Sequence, residues 1–197
     1  MTLTEWVHKG NISSMTVALP YLVFGALLCG FAAAVRADRR SSQKMALLDW
    51  NDLVARLYRL DMVELSAVAT DYLTPHRGQI DMEPNVIWES LGGYEGLKRM
   101  RENAEIMLAL AAYAQRWNFE EAVIVTERMR LDAAALRRAV RRVELGMIPA
   151  SILRHFRITL PLHAQEASSA YYLMRQRLLA LYETSHVSRY PTLAAAL

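Results

Sequence analysis

Residues 15–35, MTVALPYLVFGALLCGFAAAV, run for twenty-one positions without an Asp, Glu, Lys, Arg or His, and Arg36, Asp38, Arg39 and Arg40 follow closely. As a helix this run is about 31 Å long, which matches the thickness of a bilayer's hydrocarbon core. Its Leu, Val and Phe side chains together favour insertion by roughly 3–5 kcal/mol. Pro20 lies near the first turns, where few backbone hydrogen bonds depend on it. The segment is therefore expected to be a single transmembrane helix.

Orientation follows from the flanks. Residues 1–14 carry Lys9 as their one Lys or Arg, whereas Arg36, Arg39, Arg40 and Lys44 crowd the other end. Basic residues close to a span favour the cytoplasmic side. This places residues 1–14 outside and the large C-terminal part in the cytoplasm, attached to the inner (plasma) membrane. A cleaved signal peptide competes with this expectation, since Ala32, Ala33 and Ala34 contain an A-x-A pattern. The long, barely basic N-terminal stretch and the arginine cluster argue against it. Cys29 is preceded by Leu27 and Leu28 rather than by a small residue, so a lipoprotein site is also disfavoured.

Within the span, Ala26, Gly30 and Ala34 recur every four residues and form a strip of small side chains. Such a strip allows another helix to approach closely, so self-association or docking to a partner's helix is one expected use. A monomeric anchor is the alternative.

The remaining residues, about 160 of them, suffice for one domain with a core. Cys29 is the sole cysteine, so no intrachain disulfide can form. The formal net charge is +3, and it hides an asymmetry. From Asp61 to Glu121 there are eleven acidic and five basic residues; from Arg128 to Arg157 there are eight arginines against Asp132 and Glu144. These oppositely charged faces are expected either to meet or to be solvated separately inside one domain.

Apolar spacing of three to four residues recurs through most of this region. Residues 41–73 read as one amphipathic helix or two in sequence, with Asp61 and Glu64 as a capping break. Glu83 and Pro84 open a short apolar turn that ends at Gly92 and Gly93. A strong helix follows, with Leu97, Met100, Ala104, Met107, Leu108, Ala111, Ala114 and Trp117 as its buried stripe. Asn118 and Glu121 suggest the start of another, running through Met129, Leu136, Val140 and Val143 to Gly146. Residues 149–160 are ambiguous. Pro161 begins a further helix with Ala167, Ala170, Tyr171, Met174, Leu178 and Leu181 inward. No convincing strand or repeat occurs. The expected fold is all-α: the transmembrane helix, then a cytoplasmic bundle of about four long helices over residues 36–186, then a tail at 187–197 without an evident partner.

Chemistry-bearing motifs are sparse. The histidines, His8, His76, His155, His163 and His186, lack the i, i+4 pairing of a helical metal site. No phosphate-loop, dinucleotide or nucleophile-elbow pattern is present, and no cofactor is implied. Gly92, Gly93 and Gly96 precede a helix, but Glu95 beside them opposes an anion there. Glu102, Glu105 and Glu127 are the best carboxylates for an enzyme, with nothing in the spacing to unite them. The chain is accordingly expected not to be an enzyme.

The most distinctive soluble stretch is LDAAALRRAVRRVELG. Arg137, Arg138, Arg141 and Arg142 fall one turn apart in pairs and form a basic strip. It suits phosphates of anionic lipid headgroups; nucleic acid is the weaker alternative, since no recognition module or aromatic interleaving accompanies it. The competing view is a solvated face paired with the acidic half. The functional expectation is a membrane-anchored helical interaction or scaffold protein, an accessory subunit of a membrane assembly. The alternative is a membrane-tethered regulator that uses the arginine strip.

Overall fold

The structure, a computed structural model, describes Met45 and residues 48–74, 82–147 and 160–197. The chain divides into two units, Met1–Lys44 and Met45–Leu197, and every described residue belongs to the second. The transmembrane expectation for residues 15–35, its Ala26, Gly30 and Ala34 strip, its flanks, His8, His76, His155 and the ambiguous segment at 149–159 lie outside the described residues. Among the described residues, all regular structure is helical and no helix is long and apolar enough to cross a membrane.

Seven helices follow one another: α1 (Trp50–Ala55), α2 (Met62–Leu73), α3 (Pro84–Ser90), α4 (Gly93–Ala114), α5 (Phe119–Gly146), α6 (Leu160–Ser185) and α7 (Tyr190–Ala196). Three are long and α2 is of middle length, so the expected bundle of about four long helices is present with short helices added at its corners. The helix α6 packs most extensively on α5, and also on α2, α3, α4 and α7, while α4 packs on α5.

The break expected at Asp61 is real. Its carboxylate caps α2 by accepting from the backbone N–H groups of Val63 (3.0 Å) and Glu64 (3.2 Å), satisfying two otherwise orphaned donors. The connector before it is held by a single fully buried side chain. Asn103 on α4 accepts from Tyr58 N (2.8 Å) and donates to Tyr58 O (2.7 Å) and to Tyr171 Oη (3.1 Å). One amide thus imitates a strand partner for the connector and ties it to both α4 and α6. Asn118, by contrast, makes no backbone cap; its side chain donates to Glu121 instead.

Between α3 and α4 the chain turns through Gly92 and Gly93, whose φ values of 69° and 62° suit residues without a Cβ. Gly96 has a different reason. A Cβ built there would lie 1.7 Å from the carbonyl oxygen of Leu91, so the first turn of α4 rests directly on the preceding backbone.

The stripe expected on α4 is buried at Leu97, Met100, Ala104, Met107, Ala111 and Ala114, with Leu108 half-buried against the core, and all six inward positions expected on α6 are buried. Trp117 departs from the pattern and remains 45% exposed, because it follows the end of α4 in the turn to α5. The segment 187–197, expected to lack a partner, is corrected here: α7 packs on α6 and α1, with Leu193 fully buried. Its YPTLAAAL composition was too short and too weakly periodic to reveal an inward face.

Two substitutions test this framework. Gly96→Ala should lower stability by about 2–3 kcal/mol through overpacking, despite an intrinsic helix gain of about 1 kcal/mol. Asn103→Ala should cost about 2–4 kcal/mol, since three partners lose their bond in or near the core. Urea unfolding followed by circular dichroism reads both, and a neutral result at either site contradicts the packing described.

Candidate functional site

The faces of α4 and α5 that meet are lined by long polar side chains at one end of their contact. On α4, Tyr94, Arg101 and Glu105 stand at spacings of seven and four, hence along one face; on α5, Ala134, Arg137, Arg138, Arg141 and Glu144 do the same. Arg101, Ala134, Arg137, Arg138, Arg141 and Glu144 line an open groove of about 490 Å³. Ala134, with its single methyl group, leaves room between the longer arginines.

Two carboxylates fix part of this lining. Glu144 Oε1 accepts from Arg101 Nη1 (2.9 Å) and from the Tyr94 hydroxyl (3.0 Å), and Glu105 Oε1 accepts from Arg137 Nη1 (2.9 Å). The Tyr94 hydroxyl is held above its ordinary pKa, chiefly because it donates to Glu144, whose negative charge also opposes ionisation. Arg138 and Arg141 are exposed and have no carboxylate partner among the described residues.

The four arginines of the expected strip therefore separate. Arg137, Arg138 and Arg141 face the groove. Arg142 instead approaches Glu166 of α6 at 3.3 Å, where His163 Nδ1 also lies 3.4 Å from the same carboxylate oxygen. Arg101, Tyr94 and Glu144 were not among the residues expected there. Their placement depends on the register between α4 and α5, which no spacing within either helix discloses.

Glu105 meets Arg137, and Glu127 pairs with Arg130 on its own helix. The turn at Gly92 and Gly96 borders a pocket of about 260 Å³ whose lining includes Asp61, Glu64, Glu89 and Glu95 against Arg59 and Arg99, a balance unfavourable to an anion. Among the described residues, no group of three His, Cys, Asp or Glu side chains is placed to hold a metal ion.

An aromatic cluster closes the opposite end of the domain. Trp50 Nε1 donates to Tyr182 Oη (3.1 Å), which donates onward to the carbonyl of Leu110 (3.0 Å), linking α1, α6 and α4. The Arg189 guanidinium lies 5.0 Å from the ring centres of Trp50 and Trp117 and 5.4 Å from that of Tyr113. These cation–π contacts fasten the start of α7 to the bundle. His186 meets the edge of Trp117, with centroids 4.4 Å apart. The cluster is a structural clasp.

No known protein family, curated protein or solved structure matches this chain.

The clasp has a measurable alkaline signature. Burial pushes the Tyr182 phenol up from 10.0 to about 12. Below pH 10 it is neutral in both native and unfolded chains. Above that the unfolded phenol ionises first, so the native state should lose stability by about 1.4 kcal/mol per pH unit, to a total near 2–3 kcal/mol by pH 12. Chemical denaturation at successive pH values should show that slope. Tyr182→Phe should flatten it by about one proton's worth, and an unchanged slope would contradict the assignment.

Proposed function

We propose that the chain is a single-pass membrane-anchored helical interaction protein, an accessory subunit of a membrane assembly. Residues 15–35 serve as the anchor, with the N-terminus outside and the helical domain in the cytoplasm. The support for the anchor is its uncharged length and the basic residues that follow it.

The observation that carries the interaction reading is on the first half of α5. Ile124 and Leu131 are 60% and 71% exposed, two turns apart on one line of the helix, and Phe119 at its start is 70% exposed. Apolar side chains at this spacing form a ridge that a partner's helix can cover. The surroundings carry both signs, with Glu120, Glu121 and Glu127 beside Arg128 and Arg130, all exposed. A mixed rim suits a protein partner better than an anionic lipid surface. The occupant is therefore an amphipathic helix of another subunit.

The test uses the full-length chain in its native membranes. A photo-crosslinking residue in place of Leu131 should yield one adduct of discrete mass, absent when the same probe replaces exposed Glu183 on α6. Adding Ile124→Glu should reduce the adduct about tenfold or more, as expected for loss of an interface anchor. No adduct, or the same adduct from position 183, overturns the interface. Recovery of the chain in the supernatant after alkaline carbonate washing overturns the anchor separately.

A further inference from the structure

Guanidinium groups from two helices converge on one groove. Arg101 comes from α4, and Arg137, Arg138 and Arg141 come from α5. Glu144 and Glu105 each engage one of them, Arg101 and Arg137, at 2.9 Å. The other two, Arg138 and Arg141, project into solvent without a carboxylate partner among the described residues. Four cations set against two carboxylates leave a local excess of positive charge. A domain stabilised only by internal pairing would leave no reason to gather it here.

We propose that this groove binds the phosphate group of a phosphorylated ligand. Arg138 and Arg141 donate to the phosphate oxygens, with Arg137 beside them on α5 and Arg101 contributed by α4. The chemistry favours phosphate over a single carboxylate. Guanidinium forks match phosphate oxygens in pairs, and donors arriving from two helices can surround a tetrahedral group. Glu144 and Glu105 act as positioning residues, because each holds one arginine in a set direction and so lowers the ordering entropy that binding would otherwise cost. Tyr94 in turn steadies Glu144 through its hydroxyl at 3.0 Å.

The groove, at about 490 Å³, leaves room for a further body beyond the anionic group. A phospholipid headgroup and a soluble phosphoester share this chemistry. Arg142, which belonged with the others in the sequence pattern, takes no part, since Glu166 holds it on the α6 side. The inference does not depend on the membrane anchor or on the apolar ridge of α5.

The experiment uses the full chain purified in a neutral detergent. One arm titrates inorganic pyrophosphate by calorimetry; the other adds phosphatidic acid or phosphatidylcholine and counts retained lipid by native mass spectrometry. Wild type should bind pyrophosphate, or retain phosphatidic acid in preference to phosphatidylcholine. The first result identifies a soluble phosphoester and the second a lipid headgroup.

Arg138→Gln with Arg141→Gln should weaken that binding at least about twentyfold, from roughly fivefold per basic residue. Arg128→Gln with Arg130→Gln removes the same charge elsewhere on α5 and should change it less than about twofold. All four positions are exposed, so each variant should keep its helices, which circular dichroism checks. The proposal is overturned if wild type binds neither probe, or if both pairs of substitutions weaken binding equally.

Discussion

Burial on every side of the middle of α6, residues 167–171, is the constraint on which the rest of the domain depends. Ala167, Ser168, Ser169, Ala170 and Tyr171 are consecutive, and all are buried. Successive residues point about 100° apart around a helix, so five in a row sweep its whole circumference. Along that stretch α6 is a central rod rather than one wall of a bundle. Its small side chains let α2 and α5 come close, and Ser168 and Ser169 cost little because their hydroxyls donate to the carbonyls of Gln165 and Glu166 (2.9 Å each). Gln165, fully buried as well, reaches Asp71 of α2 at 2.8 Å. Once α6 is enclosed in this way, α4 and α5 both pack on it as well as on each other, and the groove between them acquires its width.

Much of this was legible residue by residue. The helices α4, α5 and the body of α6 follow from apolar spacing, and the Asp61 cap follows from a polar residue placed just before an apolar run. The central position of α6 did not follow. A stretch of helix buried all round shows no contrast between faces, and Ser168, Ser169 and Gln165 resemble a solvated side until their partners are seen. Asn103 was hidden for the same reason: a single polar residue within an apolar stripe has no sequence signal for the connector it holds.

The two ends of the domain differ in what sequence could reveal. At the aromatic end, Trp50, Tyr113, Trp117, Tyr182 and Arg189 are spread over some 140 positions, and only tertiary packing gathers them. Arg189 also explains why the last residues fold back. Its cation sits among three rings, and Leu193 then enters the core one turn further on. At the groove end, Arg137, Arg138 and Arg141 of the strip line one groove, whereas Arg142, on the same helix, turns to Glu166 of α6. The fourth arginine of the groove, Arg101, lies on another helix and depends on interhelical register.

The charge asymmetry along the chain can now be resolved into two outcomes. Part of the basic segment does meet carboxylates: Arg137 finds Glu105 of the acidic segment, Arg142 finds Glu166, and Glu144 reaches back to Arg101. Several acidic residues stay apart, since Asp61, Glu64, Glu89 and Glu95 gather around the α3–α4 turn with Arg59 and Arg99. Neutralisation is therefore incomplete, and the remainder is not spread evenly over α5. Its exposed N-terminal half balances Glu120, Glu121 and Glu127 against Arg128 and Arg130 around apolar side chains, whereas the other half leaves Arg138 and Arg141 beside an open groove. At physiological salt the screening length is about 8 Å, shorter than the separation of the two halves along a helix that rises about 1.5 Å per residue. Each half consequently presents its own electrostatic character, and one helix can offer two surfaces of different chemistry.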